Sequence, residues 1–189
     1  MNRTTFSVLA FAAISATSSL RAAPSGSGPL APSAIFVQAG DGNHTRTLTA
    51  GLDWDLPWHK SLATGELSAY AEASLGRWWM SDHQVDRSAW VTQIGLTPVL
   101  RYRFGEGEPR PHWFTELGIG LNVLTPVLQD NSRRFSTKFN FGDHLALGRS
   151  FGAADENEIA LRVQHFSNGG IRQPNPGINF VQLRYVHRF

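Results

Sequence analysis

Glu66-Leu67-Ser68-Ala69-Tyr70-Ala71-Glu72-Ala73-Ser74-Leu75 alternates without a break, Glu66, Ser68, Tyr70, Glu72 and Ser74 interleaving with Leu67, Ala69, Ala71, Ala73 and Leu75. Successive side chains on a strand point to opposite faces, so this stretch has one polar and one apolar face. The same period recurs downstream. Trp90, Ile94, Leu96, Leu100, Tyr102 and Phe104 interleave with Gln93, Thr97, Arg101 and Arg103. His112, Glu116, Gly118, Gly120 and Asn122 interleave with Trp113, Leu117, Ile119, Leu121 and Val123. Counting such segments predicts eight strands, near 34–40, 45–56, 65–79, 88–104, 111–123, 135–149, 158–167 and 178–189.

Alternation suits a soluble sandwich as well as a membrane barrel, and three features favour the barrel. The polar faces repeatedly carry Glu and Arg, as a polar interior would. Trp54, Trp58, Trp78, Trp79, Trp90 and Tyr185 sit toward strand ends, where interfacial girdles are expected. The chain ends Tyr185-Val186-His187-Arg188-Phe189, an alternating strand with a terminal aromatic that resembles the assembly signal of bacterial outer-membrane barrels. The expected fold is therefore all-β, an eight-stranded antiparallel transmembrane β-barrel, its interior filled by side chains and not open as a pore.

Composition agrees. Charged residues make up 17% of the 189-residue chain, against about 25% in soluble domains. There is no cysteine, so neither disulfides nor thiolate metal sites arise. Residues 1–23 read as a secretory leader: Arg3, then the apolar run Phe6 to Ile14, then small and polar residues up to Arg21-Ala22-Ala23. That run is too short to span a bilayer as a helix, and no later stretch reaches 18 apolar residues. Residues 24–189 form the barrel domain. Setting Arg3 and Arg21 aside leaves fifteen basic against fifteen acidic residues, so no basic stripe exists for nucleic acid. His44, His59, His83, His112, His144 and His187 show no metal-ligand spacing, and no metal or cofactor is expected.

The chemistry concentrates near the C terminus. In Glu158 to Ser167, one face holds Ile159, Leu161, Val163, His165 and Ser167, so a histidine and a serine continue the apolar face. Residues two apart on a strand have Cα atoms about 6.5–7 Å apart, and suitable rotamers can bring imidazole and hydroxyl within hydrogen-bond reach, as a base activating a serine requires. The bland reading is two polar residues at a strand end, and spacing alone does not separate the two. In an even-stranded barrel both termini are periplasmic, which makes the Asn168–Gly177 loop extracellular and sets His165 and Ser167 at outer-leaflet depth.

The run His165-Phe166-Ser167-Asn168-Gly169-Gly170-Ile171, followed by Gln173-Pro174-Asn175 and Gly177, resembles the signature of the PagL-type lipid A 3-O-deacylases. The motif covers about fifteen residues; the strand pattern and the segment Phe141 to Gly148 agree elsewhere. The resemblance implies an outer-membrane esterase that takes lipid A, or the lipopolysaccharide carrying it, as substrate among outer-membrane lipids. It implies Ser167 as nucleophile, His165 as base, and Asn168 with the Gly170 amide as oxyanion donors. Where the family pattern has Glu, this chain has Asn179, whose carbonyl can orient the imidazole but brings no charge. Asp143 is either a substitute acid or turned away by a bulge. Arg133, Arg134 and Lys138 either meet lipid A phosphates or are ordinary solvated loop residues. Glu72, Glu116, Arg101, Arg103, Arg162 and Arg184 are expected to pair inside the barrel. A homodimer is left open, and a non-catalytic adhesion or structural barrel is the rival reading.

Overall fold

The computed structural model describes residues 31–81, 89–105, 113–130 and 133–189. The expected leader, residues 1–23, lies outside the described residues, as do His83 and His112. The strands are β1 (Ala34–Gly42), β2 (Thr45–Leu62), β3 (Gly65–Met80), β4 (Trp90–Phe104), β5 (Trp113–Thr125), β6 (Phe139–Phe151), β7 (Asn157–Ser167) and β8 (Ile178–Arg188). Each pairs antiparallel with the next, and β8 returns to pair with β1, closing the barrel. Closure leaves no strand edge unpaired, which a sheet in hydrocarbon requires. At a typical tilt, strands of 11–13 residues give a wall roughly 25–30 Å tall.

Alternation sorts the side chains as the sequence implies. Leu75, Ile94, Leu117, Ile119, Leu145, Leu161, Val163 and Val181 all face outward and are more than half exposed. So much contiguous apolar surface is foreign to a soluble monomer and matches a lipid-facing belt. Trp58, Trp79, Trp90 and Tyr185 are exposed near strand ends. Trp78 departs from its expected place. It follows Glu72, Ser74 and Gly76 on the inward parity of β3 and is 1% exposed inside the barrel. Two boundaries also differ. The segment expected to begin a strand at 135 does so only at Phe139, because Phe135 folds back over the barrel mouth to pack with Leu128. β2 runs six residues past its expected end, pairing with β3 across a register shift between Asp55 and His59.

The interior divides into two halves. Toward the termini lies a buried charge network. Arg101 bonds Glu116 at 2.6 Å and Glu158 at 2.7 Å, Arg162 bonds Glu72 at 3.1 Å, and Arg184 bridges Asp53 and Glu72, both at 2.9 Å. Tyr70 donates to Glu116 as well. Arg103 joins at the edge through Ser150 and Glu158, so all six residues expected to pair do so. Guanidinium stacking adds to this, with Arg184 over Phe36 at 3.5 Å and Arg101 over Phe114 at 4.3 Å. Toward the loop end the interior is apolar: Trp78, Met80, Val91, Leu124, Leu128, Phe135, Phe166, Ile178 and Phe180 form one cluster.

A buried ion loses far more when its partner is removed than an exposed one does. Arg101→Met is therefore expected to destabilise the barrel by about 3–5 kcal/mol, since it leaves two buried carboxylates short of a partner. Arg46→Ala, which breaks the exposed pair with Asp41, is expected to change stability by less than about 1 kcal/mol. Urea titration in detergent, following the gel shift between folded and unfolded barrel, measures both; equal midpoints would contradict this division.

Candidate active site

β7 carries the site, and its parity is fixed from inside. Phe166, between His165 and Ser167, points inward and meets Trp78 edge-to-face at 4.7 Å and Phe180 at 6.0 Å. Trp78 also meets Phe180 at 4.9 Å. With Phe166 locked in this apolar cluster, His165 and Ser167 must both face outward. His165 is exposed and Ser167 is half-buried.

Two strands flank β7. On one side His165 stands opposite Asn179 of β8, and its Nδ1 lies 2.6 Å from Asn179 Oδ1. An amide oxygen only accepts, so Nδ1 carries the proton and Nε2 of the neutral ring keeps its lone pair. On the other side His165 stands opposite Asp143 of β6, and Ser167 opposite Phe141. No register shift interrupts that ladder, so Asp143 faces outward and is exposed. The bulge that could have turned it away is absent. His165 and Ser167 share the outward face, but no hydrogen bond joins them directly.

Immediately after Ser167 the chain leaves the sheet. Gly169 and Gly170 have φ of +65° and +83°, and Ile171 N–H donates back to Asn168 C=O at 3.2 Å, closing a turn. Two consecutive positive φ values strongly favour glycine. Asn168, the expected oxyanion donor, is hydrogen-bonded within its own loop and to Ser136. Its Oδ1 accepts from Gly170 N–H at 2.9 Å, and its Nδ2 donates to Arg172 C=O at 2.7 Å and Ser136 Oγ at 3.0 Å. With both amide hydrogens committed and the side chain buried, Asn168 braces the loop. Its own N–H donates to Asn175 Oδ1 at 2.9 Å. The Gly169 N–H is directed at Ser167 Oγ, 3.5 Å away.

Sequence reasoning named Asn175 and Gly177 only as motif positions without a role, and missed Ser136. Asn175 holds the turn after Ser167, Ser136 ties the loop before β6 to it, and Gly177 lies under the imidazole. Gly177 has φ +63°, and a Cβ there would come within 2.7 Å of His165 Cε1. Arg133 bonds Asn43 C=O and pairs with Asp130, whereas Arg134 and Lys138 are exposed.

The molecule is thus a closed barrel of the membrane type, with an apolar outward band on which Ser167 and the Asn179-bonded His165 both lie. Residues 46–188 match the lipid A 3-O-deacylase (PagL) family, and the chain belongs to that family of ester hydrolases. A lipid A deacylase PagL of Bordetella bronchiseptica is 31% identical over 157 residues, covering 82% of this chain and 83% of its own. One from Pseudomonas aeruginosa is 29% identical over 153 residues, 81% of this chain and 83% of its own. A crystal structure of the outer membrane enzyme PagL superposes with a TM-score of 0.70 at 25% identity, covering 82% of this chain and 99% of that one.

Gly177→Ala tests the packing beneath His165. The substitution strains a positive φ and forces the imidazole aside, so esterase activity should fall at least about tenfold while the barrel still folds. Hydrolysis of a chromogenic acyl ester in detergent measures this; full activity in the folded variant would show that the ring has room to spare.

Proposed function

We propose that this protein lies in the bacterial outer membrane and hydrolyses the 3-O-linked acyl ester of lipid A, with Ser167 as nucleophile. The observation that carries the reading is the His165–Asn179 hydrogen bond beside Ser167, on the lipid-facing side of the wall. It fixes the tautomer that leaves Nε2 able to accept a proton, as base catalysis at a serine requires.

The location fits the substrate. With the termini periplasmic, the Asn168–Gly177 loop is extracellular and the site sits just below it, in the outer leaflet. An ester linking an acyl chain to a sugar lies at that depth, between hydrocarbon and headgroup. A nucleophile facing the barrel interior would be sealed off by the Trp78–Phe166–Phe180 cluster.

In this mechanism Ser167 Oγ attacks the acyl carbonyl carbon as its proton passes to His165 Nε2. The tetrahedral oxyanion forms at the turn after Ser167. There Gly170 N–H serves once substrate draws it from Asn168 Oδ1, and Gly169 N–H is already directed at the nucleophile. The ester C–O bond breaks, and His165 returns the proton to the departing 3-hydroxyl. Water then gives a proton to Nε2 and its oxygen to the acyl carbon; the acyl–Oγ bond breaks, Nε2 passes the proton to Ser167 Oγ, and the fatty acid leaves. Asn179 orients the ring throughout.

Expressing the chain in cells with intact lipid A, and weighing the extracted lipid A, tests the reading. Wild type should remove one 3-hydroxyacyl unit, and Ser167→Ala should leave lipid A whole, a loss of roughly 10⁴-fold or more. Unchanged lipid A from a folded wild-type barrel would contradict the proposed substrate, and full activity in Ser167→Ala would contradict the nucleophile.

A further inference from the structure

Base catalysis at Ser167 makes an imidazolium at His165, and the group bonded to that ring is neutral. Asn179 holds Nδ1–H through an amide oxygen, which orients the ring but brings no negative charge to offset the developing cation. The site also faces lipid, where charge is poorly solvated and any nearby counter-charge acts strongly.

One carboxylate is placed to do this. Asp143 stands directly opposite His165 in the β6–β7 ladder, a cross-strand pairing that puts Cα atoms about 4.5–5.5 Å apart on the same face. It is the only acid on the outward faces of β6, β7 and β8. Its neighbours along β6 on that face are Phe141 and Leu145. The other groups turned toward His165 are uncharged: Asn179 and Val181 from β8, Val163 and Ser167 along β7, and Gly177 from the loop. An acid in such a belt destabilises the barrel unless it serves something else, so its position calls for a function.

The geometry points to Asp143 as the counter-charge of His165: β8 orients the imidazole through Asn179, and β6 stabilises the imidazolium through Asp143. Orientation and charge compensation are thus divided between two strands on either side of β7. Asp143 acts through space on His165, without a direct hydrogen bond to it, and is a positioning residue in the electrostatic sense. The inference rests on the Ser167–His165 reading but not on lipid A being the substrate.

A p-nitrophenyl acyl ester in detergent micelles, with the purified full chain, separates the two claims, since it needs only the serine chemistry. Asp143→Asn, which keeps size and shape, should lower kcat roughly 10- to 100-fold with KM within about twofold. Asp143→Glu should keep most of the activity. The decisive variant is Asp143→Asn combined with Asn179→Glu: a carboxylate restored from the opposite strand should recover kcat to within about threefold of wild type. A merely structural role for Asp143 predicts no such recovery. Unchanged kcat in folded Asp143→Asn, a loss confined to KM, or failure of Asn179→Glu to rescue would each overturn the assignment. Active wild type on this ester with untouched lipid A would instead count against the proposed substrate and leave the Asp143 result standing.

Discussion

Everything functional in this molecule follows from the two-residue repeat of one strand locked into a closed wall. Along β7, Arg162, Gln164 and Phe166 point inward while Val163, His165 and Ser167 point outward, and closure through the β1–β8 pairing forbids the strand to slip. A one-residue shift would place the histidine and serine among Trp78 and Phe180 and push Arg162 into lipid. The site is thus held in place by the cost of every alternative register.

The divided interior serves the same end. Near the termini, arginines and carboxylates pair across the barrel, which lets charged side chains fill a narrow lumen. Near the loops the filling turns apolar, and there Phe166, Ile178 and Phe180 back the outward-facing His165, Ser167 and Asn179 from inside. Rigid aromatic packing beneath alternate residues gives an exposed site the fixed geometry that a loop could not supply. The turn after Ser167 adds a second restraint: the buried Asn168 side chain makes three hydrogen bonds that tie it to Gly170, Arg172 and Ser136.

The barrel was legible because period two is a property of the backbone and survives without any knowledge of contacts. Eight segments, their order and the inward charges could all be read from it. Trp78 was misplaced because a tryptophan near a strand end suggests an interfacial girdle, whereas its own parity with Glu72 and Ser74 points inward. Phe135 was drawn into β6 because local pattern does not show that a residue folds over the mouth to meet Leu128. The site was legible as a motif, His165 to Gly170, with Asn179 beside the imidazole, yet the contacts that hold it were not. Asn168 is bonded into the loop, Gly177 makes room for the imidazole, and the Asp143–His165–Asn179 row takes shape once β6, β7 and β8 are laid side by side. Those facts belong to pairing register, which no single strand carries in its sequence.

Ser167, on the lipid face, is the proposed nucleophile on which the chemistry turns. The most direct measurement is to treat the folded barrel in membranes with a long-chain alkyl fluorophosphonate and locate the adduct by peptide mass spectrometry. A single adduct on Ser167 that disappears in His165→Ala is expected. An adduct on another serine, or undiminished labelling of Ser167 without His165, would contradict that role.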